Sequence, residues 1–294
     1  MAATPTAAVE GMRLQVYHRT EYFYLEDAAK SSNELRLTPK ITASQDVQRS
    51  IISVLPATRL EHYDDLNCNR VHYFTIPEQH NRLLIESRSI VETSKPNDLD
   101  SLPYGYTHSE LKTGPIPEEC YPYLQNSTYV ENTPEIWREA VDIKGESEDV
   151  FQTGYAIMDY IYSNYQYASG TTTAATHAGD VIRDRTGVCQ DFAHAMTAFC
   201  RALGIPARYV SGYFYDSTRN RSLRGSEASH AWVEIYGGKA GWIGLDPTNR
   251  KVVDDTYIVL AFGRDYRDVA PVIGTYYGGG GSSRLSIRVQ VDRL

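Results

Sequence analysis

One run constrains this chain more tightly than any other: Gly187-Val188-Cys189-Gln190-Asp191-Phe192-Ala193-His194-Ala195. Phe192, Met196, Phe199 and Leu203 then recur at the spacing of one face of a helix. Gly204 and Pro206 stop it. Cys189 therefore falls in the first turn, where backbone N–H groups lack intrahelical partners and the helix dipole is positive. A thiol placed there sits where negative charge is favoured. The same N–H groups suit an oxyanion. Cys200 lies on the same face, about 16 Å away by helical rise. That is too far for a disulfide with Cys189, so Cys200 reads as packing. His194 falls on the outer side of the helix and reads as solvated.

An imidazole and a carboxylate follow in Ser229-His230-Ala231-Trp232 and Leu245-Asp246-Pro247-Thr248. Residues 231–236 and 241–245 read as strands, and Gly237-Gly238-Lys239-Ala240 as the turn between them. A hairpin centred on Gly238 places His230 opposite Asp246, close enough to hydrogen-bond. Thiol, imidazole and carboxylate in the order Cys189, His230, Asp246 are the parts of an activated nucleophile. A lone cysteine or histidine is usually packing or surface. A helix-start Cys with a hairpin-paired His and Asp is much harder to reach by accident.

These segments carry a resemblance. The run Arg185-Thr186-Gly187-Val188-Cys189-Gln190-Asp191-Phe192-Ala193-His194, then Leu203-Gly204-Ile205-Pro206-Ala207-Arg208-Tyr209-Val210-Ser211-Gly212-Tyr213, resembles the bacterial branch of the transglutaminase-like superfamily. Ala228-Ser229-His230-Ala231-Trp232-Val233-Glu234, Asp246-Pro247-Thr248-Asn249 and Gly263-Arg264-Asp265-Tyr266-Arg267-Asp268-Val269-Ala270-Pro271-Val272 extend it. The first ninety or so residues resemble the domain that precedes the core in this branch. The resemblance implies a papain-like core with a Cys189, His230, Asp246 triad. The superfamily holds transglutaminases, peptidases, amidases and inactive members, so the reaction stays open.

Composition sets the outer bounds. Of 294 residues, 41% are hydrophobic and 22% charged, ordinary for a globular protein large enough for two domains. With a net charge of −8 and no basic run, neither nucleic acid nor an anionic membrane is the expected partner. Four cysteines in so long a chain do not form a disulfide framework, which points to a reducing compartment, the cytoplasm. The first residues lack the basic start and apolar run of a signal peptide, and no apolar stretch has membrane-spanning length. No CxxC, HxxxH, HExxH or hard-cation loop occurs, so neither metal nor cofactor is expected.

Along the chain, residues 1–12 read as disordered. Residues 13–95 alternate like strands and predict an antiparallel β-sandwich. Residues 96–134, rich in Pro, Gly, Ser and Asn, read as a connector lying along the next domain. Residues 135–277 predict the catalytic domain. It has helical faces at 147–163 and near 177–185, then the Cys189 helix, then an antiparallel sheet, an α+β pattern. Gly278-Gly279-Gly280-Gly281 reads as a flexible link. Beyond it, residues 285–291 alternate apolar and polar, and 282–294 are expected to return to the amino-terminal sheet as a strand.

Tyrosine is overused, with 23 copies, many between Tyr104 and Tyr167. Ordinary packing explains most of them, and an aromatic groove for an extended peptide is the functional alternative. Tyr167 is a candidate oxyanion donor, Gln190 a neighbour of the thiol and Trp232 a pocket wall; these three are the candidate substrate contacts. The resulting reading is a thiol enzyme attacking a peptide or protein amide. Hydrolysis is favoured, with protein-glutamine transamidation and a non-catalytic peptide-binding module as the alternatives.

Overall fold

The computed structural model describes residues 11–95, 103–216, 229–278 and 283–294. Two antiparallel sheets dominate it. The larger holds β1 (Gly11–Leu35), β2 (Gln45–Leu55), β3 (Glu61–Asp64), β4 (Arg70–Ile76) and β5 (His80–Ser94). Its spine is β1. The first part of β1 runs beside β5, with Leu14 opposite Val91. Its last part runs beside β4, with Leu35 opposite His72. Between the two, the β5 register shifts from Phe23 to Ala28. Such irregularities bend a strand. The single sheet thus folds over on itself, and Tyr24, Leu35, Val54, Phe74, Leu83 and Ile85 from both halves share one core. The sequence predicts a sandwich; the structure has one bent sheet. Gly11 and Met12, placed by sequence in a disordered terminus, already pair in β1. Residues 1–10 lie outside the described residues.

The segment before the core is not structureless. α1 (His108–Thr113) opens with a capping box: the Thr107 hydroxyl accepts the Glu110 N–H at 3.1 Å, and Glu110 accepts the Thr107 N–H at 2.8 Å. A 3-10 turn at Glu118–Leu124 buries Cys120 and Tyr123. The Tyr123 ring meets Trp242 edge-on at 5.4 Å, so this stretch packs against the following part of the chain.

Next come α2 (Pro134–Lys144), α3 (Val150–Asn164), β6 (Gln166–Tyr167), α4 (Ala178–Asp184), β7 (Thr186–Gly187) and α5 (Cys189–Ala202). α2 carries Ile136, Ala140 and Ile143 at helical spacing, a face the sequence reading passed over; a Thr133 cap and Pro134 at its first position start it. α5 is enclosed by α2, α3 and α4 on one side and by the second sheet on the other. Phe192 and Phe199 are fully buried in it. Each such burial stabilises by about 1.5–3 kcal/mol.

The second sheet has the order β11-β10-β9-β8-β12, built from β8 (Ala207–Phe214), β9 (His230–Tyr236), β10 (Trp242–Asp246), β11 (Lys251–Val252) and β12 (Tyr257–Gly263). After α6 (Tyr266–Val269), β13 (Val272–Gly278) and β14 (Ser283–Arg293) both pair with β1. The expected 135–277 boundary puts β13 with the catalytic core; its backbone pairing puts it in the amino-terminal sheet. The tail strand aligns Leu14 to Tyr24 of β1 with Arg293 to Ser283. The glycine link at 279–281 lies outside the described residues.

The two sheets meet through Leu14, Val16, Val91 and Val289 on one side and Tyr213, Ile258 and Leu260 on the other. Side-chain amides complete the contact. The Gln45 amide accepts the Val259 N–H at 2.8 Å and donates to the Val259 carbonyl at 2.9 Å. The Asn69 amide does the same for Phe262, at 2.9 and 2.8 Å. β12 is an edge strand, and its pairing with β8 shifts register between Val259 and Ala261. Together with the Lys40 N–H, which also donates to the Val259 carbonyl at 3.0 Å, these two side chains satisfy groups on an edge that a sixth strand would otherwise cover.

Candidate active site

Cys189 is the first residue of α5 and 9% exposed. The turn below it is built around Asp191. One Asp191 oxygen accepts the Val188 N–H at 2.8 Å and the Thr172 hydroxyl at 2.6 Å. Gly187 is needed because a Cβ there would lie 2.6 Å from the Asp191 side chain. Burial pushes the Asp191 carboxyl up, against those two hydrogen bonds. The Gln190 amide donates to the Ala174 carbonyl at 3.3 Å, fastening the loop before α4. β6 and β7 pair in parallel, with Tyr167 beside Gly187, and the Tyr167 ring rests edge-on against Phe192 at 6.1 Å. Gln190 thus adjoins the cysteine in the chain, and Tyr167 lies beside the glycine two residues before it.

His230 opens β9 and is 1% exposed. Its Nε2 lies 2.7 Å from Asp246 Oδ2. An ionised carboxylate only accepts, so Nε2 carries the proton. Among the described residues Nδ1 has no conventional hydrogen-bond partner, and it is the ring nitrogen left for the Cys189 thiol. Burial opposes charge on His230, but the Asp246 carboxylate, its hydrogen bond and the neighbouring thiol outweigh it and raise the imidazole to about 10. Burial likewise opposes the Asp246 charge. His230 and the donors Asn249 and Tyr257 overcome it and lower the carboxyl.

The hairpin differs in register from the sequence expectation. Ile243 pairs with Ile235 and Leu245 with Val233, centring it on residue 239. The turn runs through Gly238 and Gly241 at φ +66° and +69°, a conformation glycine adopts without strain. It is therefore one residue longer than expected.

Trp232 is fully buried. It packs against Tyr257 at 5.2 Å and His230 at 6.2 Å, a wall behind the imidazole. His194 is also fully buried, not solvated. Its Nε2 accepts the Tyr266 N–H at 3.1 Å and its ring faces Tyr209 at 5.0 Å. Tyr129 at 5.7 Å, Tyr209 of β8 and the start of α6 enclose it. Cys200 is buried in the core. Tyr257 and Asn249, which the sequence reading did not single out, both donate to Asp246 Oδ2 at 2.9 Å. Asn249 sits in an Asx turn, since Asp246 Oδ1 accepts the Thr248 N–H at 2.9 Å, and Asp-Pro-Thr-Asn is a readable signature of it. Tyr257 has no local signature. Among the described residues no three potential metal ligands cluster, and no helix is long and apolar enough to cross a membrane.

Comparison with known proteins places this geometry. The transglutaminase-like superfamily model matches residues 139–247, and the bacterial transglutaminase-like N-terminal region matches residues 14–92. An uncharacterised protein of Mycobacterium leprae is 34% identical over 287 residues, which cover 96% of this chain and 99% of that protein. A solved structure described as a candidate cysteine protease from Cytophaga hutchinsonii has a TM-score of 0.78 at 26% identity, covering 97% of this chain and 91% of that one. A protein-glutamine gamma-glutamyltransferase of Pseudomonas aeruginosa is 40% identical over 80 residues, 26% of this chain and 12% of that protein. The chain thus belongs to the transglutaminase-like superfamily, with the bacterial N-terminal region folded against its core.

Proposed function

We propose that the protein hydrolyses peptide-like amides through a thioester on Cys189. The carrying observation is the His230 ring, fixed by Asp246 at 2.7 Å on one nitrogen and left open to Cys189 on the other. In this mechanism the Cys189 sulfur bonds to the carbonyl carbon, and the π electrons move to oxygen. Backbone N–H groups at the start of α5 are suited to hold that oxyanion. As the C–N bond breaks, the imidazolium gives its proton to the leaving amine. Water then attacks the thioester, His230 takes its proton, and the thiolate departs with the acid released. Asp246 orients the ring and stabilises its charge throughout. All four cysteines are free, which supports placing this chemistry in the cytoplasm.

Transamidation differs only in the acceptor, an amine in place of water. The short match to the Pseudomonas enzyme keeps it as the second reading. The two are separated by mass spectrometry after incubation with a peptide-amide pool and a labelled primary amine. Gain of water is the expected result. Label incorporation assigns a transferase, and neither product assigns a peptide-binding module and removes the proposal.

A further inference from the structure

Three donors converge on one oxygen of Asp246. Oδ2 takes the His230 ring at 2.7 Å, the Asn249 amide at 2.9 Å and the Tyr257 hydroxyl at 2.9 Å. The hydroxyl comes from the other side of the sheet's hairpin, at the head of β12. Its ring is locked by Trp232 at 5.2 Å and Phe214 at 5.8 Å, and it is 4% exposed. Burial and the Asp246 charge keep the phenol protonated, so it donates at every working pH. Near it lie the Lys251 ammonium, 5.4 Å from the ring centre, and Asp254, and these two pair with each other at 2.9 Å.

We propose that Tyr257 is a positioning residue that shares the Asp246 carboxylate with His230 and so limits how tightly the imidazolium is held. The inference rests on the thiol–imidazole reading above. The physical basis is competition. Each neutral donor on Oδ2 draws on the charge that would otherwise stabilise the imidazolium. With Tyr257 and Asn249 in place, His230 is charged enough to support the Cys189 thiolate, yet it still yields its proton to a leaving amine. Without them the ring holds its proton harder.

This gives a sign opposite to that of damage. Tyr257→Phe keeps the ring and its packing and removes only the donor. Cys189 then becomes reactive at a lower pH than in the wild type, by about half a pH unit or more. A loosened site instead moves the reactivity of Cys189 upward, toward an ordinary thiol. The experiment follows Cys189 alkylation by iodoacetamide across pH, read by peptide mass spectrometry, in the full chain. It compares wild type, Tyr257→Phe, Asn249→Ala and His230→Ala. The expected result is a downward displacement in Tyr257→Phe and in Asn249→Ala, which removes a second donor from the same oxygen. An unchanged profile in both, or displacement toward that of His230→Ala, overturns the inference while leaving the thiol–imidazole pair intact. Identical wild-type and His230→Ala profiles remove the pair itself, and the inference with it.

Discussion

His230 and Asp246 are joined on the diagonal of their hairpin. The pairing runs to Leu245 opposite Val233; continued one step it sets Asp246 across from Trp232, so the imidazole reaches across two positions to bond it at 2.7 Å. The two residues still share a face of the sheet, since a whole-pair shift preserves the alternation of side chains. The diagonal leaves room for Trp232 to stand directly opposite the carboxylate and press on the ring from behind.

Asp246→Asn is predicted to slow turnover by roughly a hundred- to ten-thousand-fold while the protein still folds. The asparagine keeps an oxygen for the Thr248 N–H, so the turn survives, but it no longer offsets an imidazolium. Steady-state rates and a thermal melt check this. A loss of less than about tenfold would remove Asp246 from the mechanism.

Cys189 is predicted to alkylate faster than the other thiols at neutral pH. Burial pushes Cys120 up to about 11 and Cys200 up to about 12. Cys68 is exposed and is the relevant competitor. Timed iodoacetamide labelling ranks them, and parity between Cys189 and Cys68 contradicts the prediction. Cys189→Ala should end turnover and leave the melting temperature close to that of the wild type.

Stability is predicted to fall with acid before the carboxylates titrate. Burial pushes His18 from 6.5 down to about 4, and burial, opposed by Asp265, does the same for His194. Both bind protons more readily unfolded. Their contribution is therefore complete above about 6.5 and lost as pH falls toward about 4, up to about 3 kcal/mol each. His230 has the opposite sign: its contribution is complete below 6.5 and lost as pH rises through about 10. Urea midpoints at pH 7 and pH 5 test the acid arm. The drop should be smaller in the His18→Gln, His194→Gln double variant, and equal drops in both proteins contradict it.

Deleting residues 283–294 is predicted to loosen the amino-terminal sheet more than α5. β14 covers β1 from Leu14 to Tyr24, and Val289 packs in the contact between the sheets. Hydrogen exchange should rise most in β1. Uniform protection loss across both sheets, or none, contradicts this.

Chelator is predicted to leave alkylation and melting temperature unchanged, because the proposed chemistry uses only side chains. A loss that added calcium or zinc reverses contradicts it.

The residues of the candidate site were legible in the sequence because their signals are local. The α5 face, the glycine before Cys189 and the His230–Asp246 spacing each lie within a few turns or one hairpin. The register of that hairpin was not, since two glycines at positive φ lengthen its turn and nothing in the composition counts that extra residue. His194 misled for a related reason. Apolar spacing marks one face of α5, but neighbouring segments, Tyr129 and Tyr209 among them, close over its other faces, leaving the whole helix buried from Asp191 to Arg201. Tyr257 was invisible because its partner is reached through the fold and not through the chain. The amide grip of Gln45 on Val259 spans 214 positions and was hidden likewise.

That grip has a consequence for how the two halves of the molecule meet. Apolar contact is non-directional and tolerates sliding. A pair of strands can slip in register by two residues and keep its pattern. Gln45 and Asn69 behave instead like two pins in fixed sockets, each engaging both main-chain groups of a single residue, Val259 and Phe262. Two pins define an orientation as well as a contact. The amino-terminal sheet therefore docks in one pose, and the strand that presents Tyr257 to the carboxylate is held by a domain that contributes none of the proposed catalytic groups.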